Sequence, residues 1–516
     1  MVNTMDTAHV DVAIIGGGAA GLAGALQLAR MRRRVAVVDA GKPRNRTATA
    51  MHSFPGSDGV APSTHLAAAR ADAERFGADI VEASATTITS TTPDDFVVTL
   101  DNGAALRARR VLIAAGITDE LPEIPGVREQ WGRSVIHCPY CHGYEVSAKR
   151  IVVLDTNGAG THQALLFGQL SDLVTLVVAD GPGPAAAELI RLDAAGIGVV
   201  RALVEAVVET DGVVSGVLLG DETLIPADAV VVGPRWRLNL DAAAELDLHL
   251  APHPLGFGDT LVVDSMGRTS TPGVYGAGNV VDPSQQVLQA AANGSFVAAQ
   301  INMDLRNEDL DRLERAAREA AEWEGRYADA GDRWWSGKPN GTLAAEVSAL
   351  PVGRALDIGC GEGADAVWLA QLGWAVTAID ISPTAIERAN AAADAAGVAV
   401  EFRAADVLTD PPPAAVFDLV SIQYPALLKT LGAGPLQRVF DAVAPGGVLL
   451  IVGHDQRPFE HDHDHQHKYA DYSSVDELVA LLPANFVVEV NEVRPRPNPP
   501  EGARHVDDVV IRALRR

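Results

Sequence analysis

Cysteine is scarce: three residues in a chain of 516, at positions 138, 141 and 360. That excludes a disulfide-stapled scaffold and fits a reducing compartment, so a cytoplasmic location is expected. Basic residues are also short, with 41 Lys and Arg against 67 Asp and Glu, a formal charge of −26. A surface this negative repels phosphate backbones and anionic lipid, so neither nucleic acid nor membrane is expected as a partner. No apolar run reaches the roughly 18 residues of a membrane-spanning helix. Met1–Val10 lacks the basic-then-apolar pattern of a secretion signal. What is present is 47% hydrophobic and 21% charged, which rules out a mainly disordered or a collagen-like chain. The length allows about three domains. Cys138 and Cys141, set together in a reducing compartment, then need a catalytic or metal-binding reason.

Two segments share one grammar: a short β-branched apolar run, a Gly-rich turn, an Ala/Leu-rich helix and a second apolar run ending in an acid. The first holds Gly16-x-Gly18-x-x-Gly21 and ends at Asp39. The second holds Asp357-x-Gly359-x-Gly361-x-Gly363 and ends at Asp380. Both read as nucleotide-type βαβ openings, too far apart to share one sheet. Between them, residues 307–332 are rich in Glu, Arg, Asp and Ala and predict a charged helical linker. The expected fold class is α/β throughout.

In the first segment, Gly16 permits the tight turn, Gly18 lets a pyrophosphate approach the backbone, and Gly21 lets helix and strand pack closely. The backbone N–H groups opening the helix at Ala19 and Ala20 face the phosphates. Asp39 is placed to accept from ribose hydroxyls. A plain Gly-rich turn is the alternative, but strand, helix and terminal acid all agree on a dinucleotide. Further on, Gly276-x-Gly278-Asn279 is followed by Gln285, Gln286 and a small-residue helix starting at Val287. These motifs resemble the low-molecular-weight thioredoxin reductases, two-dinucleotide-domain Rossmann-like flavoproteins, over residues 8–306. The resemblance implies FAD held by residues 1–117 and 246–306, with 118–245 as an inserted pyridine-nucleotide-like domain. It places Gly278, Asn279, Gln286 and Val287 at the flavin. The family's ribityl-binding acid is Asn279 here, an amide that can still bond a hydroxyl.

Cys138-x-x-Cys141 can close a small reducible disulfide ring in which one thiol attacks and the other resolves. A zinc half-site is the alternative, with His137 and His142 flanking the pair. No second ligand pair lies near in sequence, so redox chemistry is expected and a metal is not. The resemblance implies that Cys141 faces the flavin and Cys138 exchanges with substrate. His142 stands where the family has an acid; an imidazole titrates near neutrality and can take or return a thiol proton. A structural histidine is the other reading. The form Cys-x-x-Cys-His-Gly-Tyr-Glu resembles the dithiol oxidases of gliotoxin and holomycin biosynthesis.

Thioredoxin reductases bind NADPH at a second Gly-rich turn. Here Asp155, Thr156 and Asn157 stand where glycines are expected, and Asp155 repels phosphate. Asp180 replaces the family's arginines for the 2′-phosphate. The displaced Gly158-x-Gly160 leaves another turn open, but efficient use of NADPH is not expected.

The second segment resembles motif I of class I S-adenosylmethionine methyltransferases, over residues 323–516. Asp357, Gly359 and Gly361 are implied at the methionine and ribose portions, Asp380 with Ile381 at the ribose hydroxyls, and Asp406 at the adenine amine. The domain is assigned to residues 333–516; a further dinucleotide site is the alternative. An aromatic segment with Trp334 and Trp335 resembles the lid of thiopurine and tellurite methyltransferases. Trp335 beside a sulfonium gains cation–π attraction; ordinary core packing is the other reading. Cys360 reads as a small packed residue. The His461–His467 run reads as a loop, with metal binding as the alternative, and His454 is a candidate to help the acceptor lose its proton.

The expected protein is bifunctional: an oxygen-using oxidase of a small-molecule dithiol joined to a thiol S-methyltransferase. The resemblance implies a homodimer through the flavoprotein half. The runner-up is an NADPH-dependent disulfide reductase of a small-molecule disulfide with an unrelated methyltransferase. A redox-sensing binding protein without turnover is the third reading.

Overall fold

A computed structural model describes residues 8–92, 94–179, 181–254, 256–429, 433–455, 471–497 and 505–516. Asp180 and the His461–His467 run lie outside the described residues. The chain divides into two compact units, Met1–Leu305 and Arg306–Arg516. Among the described residues, no helix is long and apolar enough to cross a membrane.

The first unit holds two main sheets. Runs such as Val12–Ile15 and Val35–Val38 are apolar on successive residues, the signature of parallel strands covered on both faces. The first sheet runs Ala78–Glu82, Val35–Asp39, Ala8–Ile15, Ala105–Ile113, Asp95–Leu100, Ala85–Thr92. Its first four strands are parallel, and the last two form antiparallel additions. Val274–Gly276 returns from far along the chain to pair with Val111–Ile113 of the same sheet. In between, the chain leaves through Ile117–Glu120 and comes back through Arg235–Leu238, two strands paired antiparallel. The excursion builds a parallel sheet ordered Gly198–Arg201, Val174–Val178, Ile151–Asp155, Ala229–Val232, Val135–Ile136, with a three-stranded antiparallel flap. This topology brings the dithiol turn after Val135–Ile136 and the returning segment after Val274–Gly276 to the carboxyl ends of their strands, where α/β sheets bind ligands.

The helix that begins at Val287 does not stop before the charged stretch; it is one helix, Val287–Asp329. Residues from Arg306 onward group with the second unit. That unit has a seven-stranded sheet ordered Glu401–Ala404, Ala375–Asp380, Arg354–Ile358, Phe417–Gln423, Val443–His454, Asp507–Arg515, Phe486–Pro495. The first five strands are parallel and Asp507–Arg515 is antiparallel. Leu356, Val420, Phe440 and Ile451 fill the core on one side of it.

Candidate active sites

The three glycines of the first turn meet three different surroundings. Gly16 has φ +109°, and a Cβ there would sit 2.5 Å from the Ala114 carbonyl oxygen. Gly18, at the start of the helix Ala19–Arg30, has nothing within 4 Å of where a side chain would point. At Gly21 a Cβ would fall 1.9 Å from the Gly16 carbonyl oxygen. So the turn is left-handed, open toward a ligand at Gly18, and packed shut behind it at Gly21. No side chain caps the helix start at Ala19 and Ala20, leaving its N–H groups for an anion. Asp39 ends the second strand; its carboxylate accepts from Gly41 N at 3.1 Å and pairs with Arg70 at 3.0 Å.

Gly16, Gly18, Ala19, Ala20 and Asp39 line a cavity of about 900 Å³ that also reaches Cys138, Cys141, His142, Asn279, Gln286 and Val287. Gly278, with φ +77°, lies against Ala20. Asn279 differs from its expected ribityl role in one respect. Its Nδ2 donates to the carbonyls of Asp282, Pro283 and Gln285 at 3.2, 3.2 and 2.9 Å. A carboxylate has no hydrogen to give there, so the amide serves the loop and leaves Oδ1 for a ligand. Arg44, in a basic run directly after Asp39, makes a two-pronged pair with Asp119 at 2.8 and 2.9 Å and donates to Pro283 O at 3.0 Å. It ties three separate segments at the cavity wall. The Lys42, Arg44, Arg46 spacing was its only sequence signal.

Cys138 and Cys141 form a disulfide with Cα atoms 5.2 Å apart. Pro139 opens the short helix Pro139–His142, and the N–H groups of Cys141 and His142 both donate to Cys138 O, at 3.2 and 3.1 Å. That tight turn sets both sulfurs on one side. Gln286 Nε2, from the returning segment, is 3.4 Å from Cys141 Sγ and 3.9 Å from Cys138 Sγ. Burial pushes the His142 imidazole below its ordinary value; Glu145 opposes that shift and His52 adds to it. His137 is likewise pushed down, by burial first and then by Arg44, and its Nδ1 lies 3.1 Å from Val232 O. His52, which no motif marked, lines the same cavity.

The second Gly-rich turn of this unit is closed by its own side chains. Asp155 is buried, and its Oδ1 accepts from Gly158 N at 2.7 Å and Gly160 N at 3.2 Å. Asn157 Nδ2 donates to Gly233 O at 2.7 Å while its Oδ1 accepts from Ala159 N at 3.1 Å. The amides that would cradle a phosphate are already occupied by a carboxylate.

In the second unit, Asp357 is 1% exposed and its Oδ2 has no hydrogen-bond partner. Burial raises it well above the usual carboxylate range, and the charges of Asp365 and Asp380 add to that. Burial pushes Asp365 to about 6, although Asn340 N donates to it at 2.6 Å. Asp380 accepts from Gly361 N at 2.8 Å and Ser382 N at 2.9 Å, with the Ile381 backbone N–H facing the same carboxylate; burial still raises it. Asp406 accepts from Leu408 N at 2.9 Å and is also raised by burial. Gly359 has open space beside it.

Trp335 is no core residue: it is 49% exposed and stacks on Trp334, centroids 4.8 Å apart. Its indole N–H donates to the Tyr327 hydroxyl at 3.1 Å, and both rings overhang Gly361. Glu362 holds this segment. It accepts from Trp334 N and Trp335 N at 2.8 and 3.0 Å and pairs with Arg388 at 2.9 Å. Cys360 is partly buried, and burial followed by the Asp357 charge drives its thiol well up, which disfavours the thiolate a nucleophile needs. His454 lies between Tyr424 and His505, at 4.2 and 4.3 Å. The Tyr424 hydroxyl is 3.1 Å from Asp508 and 3.3 Å from Asn340 Oδ1, which links this group to Asp365. Among the described residues no set of three or more His, Cys, Asp or Glu is arranged to hold a metal ion.

Comparison with known proteins matches residues 10–295 to the family described as pyridine nucleotide-disulphide oxidoreductase and residues 355–447 to a methyltransferase domain. The thioredoxin reductase tcpT of Claviceps purpurea (strain 20.1) is 30% identical over 322 residues, 57% of this chain and 95% of that protein. The thioredoxin reductase sirT of Leptosphaeria maculans is 28% identical over 58% of this chain and 95% of its own. The crystal structure of HlmI is similar at 39% identity and a TM-score of 0.57, covering 61% of this chain and 98% of that one.

Two outcomes follow from this geometry. Gly18→Asp adds a Cβ with nothing within 4 Å of it, so stability stays within about 0.5 kcal/mol, while flavin content after purification falls because a carboxylate faces the phosphates. Retained flavin in the purified variant would contradict the assignment. In the second unit, burial favours the protonated forms of Asp357 and Asp365, so a cation bound beside them is expected to release protons. Affinity for S-adenosylmethionine is therefore expected to rise with pH through the titration of Asp365 at about 6. Calorimetry in buffers of different ionisation enthalpy reads the released protons, and Asp357→Asn lowers the release, with the remainder coming from Asp365.

Proposed function

The chain belongs to the pyridine nucleotide-disulphide oxidoreductase family, and on that premise we propose that its first unit is an FAD-dependent oxidase of a small-molecule dithiol and its second a thiol S-methyltransferase. The coarser reading, a thioredoxin reductase-like disulfide oxidoreductase joined to a methyltransferase domain, rests on the matches above. The observation that carries the finer one is the Asp155 carboxylate seated on Gly158 N and Gly160 N. A nicotinamide dinucleotide would have to displace a buried anion from the amides it needs. Electrons then enter from the thiol side.

The first turn fits FAD, since Gly18 is open and the helix behind it is uncapped. Gly16, Gly18, Ala19, Ala20, Gly21 and Asp39 would hold the pyrophosphate and ribose, and Gly278, Asn279, Gln286 and Val287 the flavin end. When bound, FAD supplies an electron-pair acceptor that dioxygen restores. The protein's own part is thiol–disulfide exchange. A substrate thiolate attacks Cys138, the Cys138–Cys141 bond opens, and the electron pair settles on Cys141, the sulfur nearer Gln286. The second substrate thiol closes on the first and frees Cys138. Burial favours the neutral form of His142, the form that can accept a proton.

In the second unit, the partnerless Asp357 Oδ2 suits the ammonium of S-adenosylmethionine. Asp380 with Ile381 suits the ribose, Asp406 the adenine, and the exposed Trp335 the sulfonium, with Gly359 and Gly361 giving room. When bound, the group supplies an electrophilic methyl. His454 with Tyr424 stands where an acceptor thiol could lose its proton. Disulfide formation and S-methylation both remove reactive thiols, which gives the two units a common substrate class. A homodimer through the first unit and a reducing cytoplasm complete the proposal.

Anaerobic mixing of the oxidised protein with dithiothreitol or with NADPH, followed by flavin absorbance, tests the first half. Bleaching by the dithiol and not by NADPH is expected; equal or faster bleaching by NADPH would return the protein to the disulfide reductases. For the second half, a small dithiol incubated with S-adenosylmethionine should gain methyl on sulfur, and methylation found only on oxygen or nitrogen rejects it.

A further inference from the structure

Gln286 brings a hydrogen-bond donor to the dithiol from far along the chain. Its Nε2 lies 3.4 Å from Cys141 Sγ and 3.9 Å from Cys138 Sγ, so it favours one sulfur of the pair. A neutral sulfur is a weak acceptor, whereas a hydrogen bond to an ionised group is about twice as strong as a neutral one. The contact therefore contributes little while the disulfide is closed and more once an electron pair arrives on Cys141. An amide also keeps its hydrogens over the whole range in which thiols titrate, so the donor is present at every working pH.

The loop that carries Gln286 is held by side chains on both sides of it. Asn279 Nδ2 donates to the carbonyls of Asp282, Pro283 and Gln285, and Arg44 donates to Pro283 O. Ser284 donates to Asp282 Oδ1 through its N–H at 2.9 Å and its hydroxyl at 2.6 Å. Gln286 N donates to Gln289 Oε1 at 3.0 Å, which fixes the backbone at Gln286 itself. An acid at 279 would have no hydrogen for any of the three carbonyls and would repel them. The amide at 279 and the amide at 286 thus belong to one arrangement: the first sets the loop, and the loop sets the second against Cys141.

Resting on the dithiol-oxidase reading, we propose that Gln286 is a catalytic hydrogen-bond donor that holds the electron pair on Cys141 once the disulfide opens, and that Asn279 is the positioning residue that keeps it there. A substrate thiolate bonds to Cys138 Sγ, the Cys138–Cys141 bond breaks, and its electron pair settles on Cys141 against Gln286 Nε2. The second substrate thiolate bonds to the first substrate sulfur, and Cys138 leaves with the electron pair of the mixed disulfide. Of the two protons the substrate gives up, one goes to Cys138 and one to solvent, so Cys141 stays a thiolate. Stabilising that thiolate stabilises the reduced pair, which makes the disulfide a stronger oxidant of the incoming dithiol.

The titratable groups around the pair are His137 and His142 on its own turn, and His52, whose ring centroid is 6.5 Å from that of His142. His52 carries Glu145 and Asp58 on its two nitrogens, and the Arg44–Asp119 pair acts on His137. From the returning segment come the neutral amides of Asn279, Gln285 and Gln286, with Asp282 turned onto Ser284. None of the charged groups is altered in the variants below. The flavin-loaded protein is reduced anaerobically with excess dithiothreitol and alkylated with iodoacetamide between about pH 6 and 10, a window bracketing thiol ionisation. Peptide mass spectrometry then reads each cysteine separately. Gln286→Leu removes the donor and raises the Cys141 inflection by about one pH unit, a tenfold loss of thiolate below it, with a smaller move at Cys138. Gln286→Glu sets a carboxylate beside the sulfur and raises it further. Equilibration with mixtures of dithiothreitol and its disulfide reads the potential. Above about pH 9, Gln286→Leu lowers it by about 30 mV, the equivalent of tenfold for two electrons, and the gap closes at acidic pH where both proteins hold a thiol. Asn279→Asp gives about threefold in the same direction and nothing further in the Gln286→Leu background, where a merely structural effect would persist. Gln286→Leu and Gln286→Glu both keeping the wild-type inflection and potential overturns the proposal, as does an Asn279→Asp shift that survives in full without the Gln286 amide. The expected shifts in a protein whose flavin NADPH bleaches as fast as dithiothreitol does support the amide's role and overturn the oxidase reading beneath it.

Discussion

The contact between Gln286 and Cys141 joins two segments 145 residues apart, and most of the first unit exists to make it. The returning strand Val274–Gly276 must pair with Val111–Ile113 before the loop at 282–286 is in place. The crossing strands Ile117–Glu120 and Arg235–Leu238 must pair before the dithiol turn can face that loop. Arg44 then pins Asp119, at the crossing, to Pro283, in the loop. Each of these is a long-range pairing whose loop-closure entropy is offset only once the whole sheet forms. The redox pair thus depends on topology as much as on its own four-residue motif.

The second unit is organised by a different constraint, the crowding of acids. Asp357, Asp365 and Asp380 all sit where charge is costly, and each is raised by burial. Backbone N–H groups from Gly361, Ser382 and Asn340 relieve part of that cost. The orphaned oxygen of Asp357 receives none of it. A site poised in this way favours a ligand that brings positive charge. Glu362 adds a structural acid to the same turn, neutralised by Arg388 and by the backbone of the tryptophan segment.

The local parts of both sites were legible in the sequence because their physics is local. Left-handed or crowded backbone demands glycine, so Gly16, Gly21, Gly361 and Gly363 announce the turns they make. Two cysteines three apart announce a ring. The displaced Asp155 was legible as an obstruction, though not as a residue that accepts from the turn it blocks. The ring contact of His52, the clamp of Arg44 and the grip of Glu362 were not legible. Each acts on residues dozens of positions away, and beyond the Lys42, Arg44, Arg46 spacing nothing in the flanking sequence sets them apart from ordinary surface charge. Asn279 was read as a substitute acceptor for a hydroxyl. Its oxygen is still left for that, while its nitrogen donates to three carbonyls, a use only three-dimensional proximity reveals.

Asp155 has a consequence for how such a protein changes over time. Once a carboxylate satisfies the amides of a Gly-rich turn, its removal is costly, because Gly158 N and the buried Gly160 N would lose their acceptor. Restoring a glycine would have to coincide with a coenzyme ready to take the vacated place. Two hydrogen bonds thus hold the acid in place against its replacement by glycine.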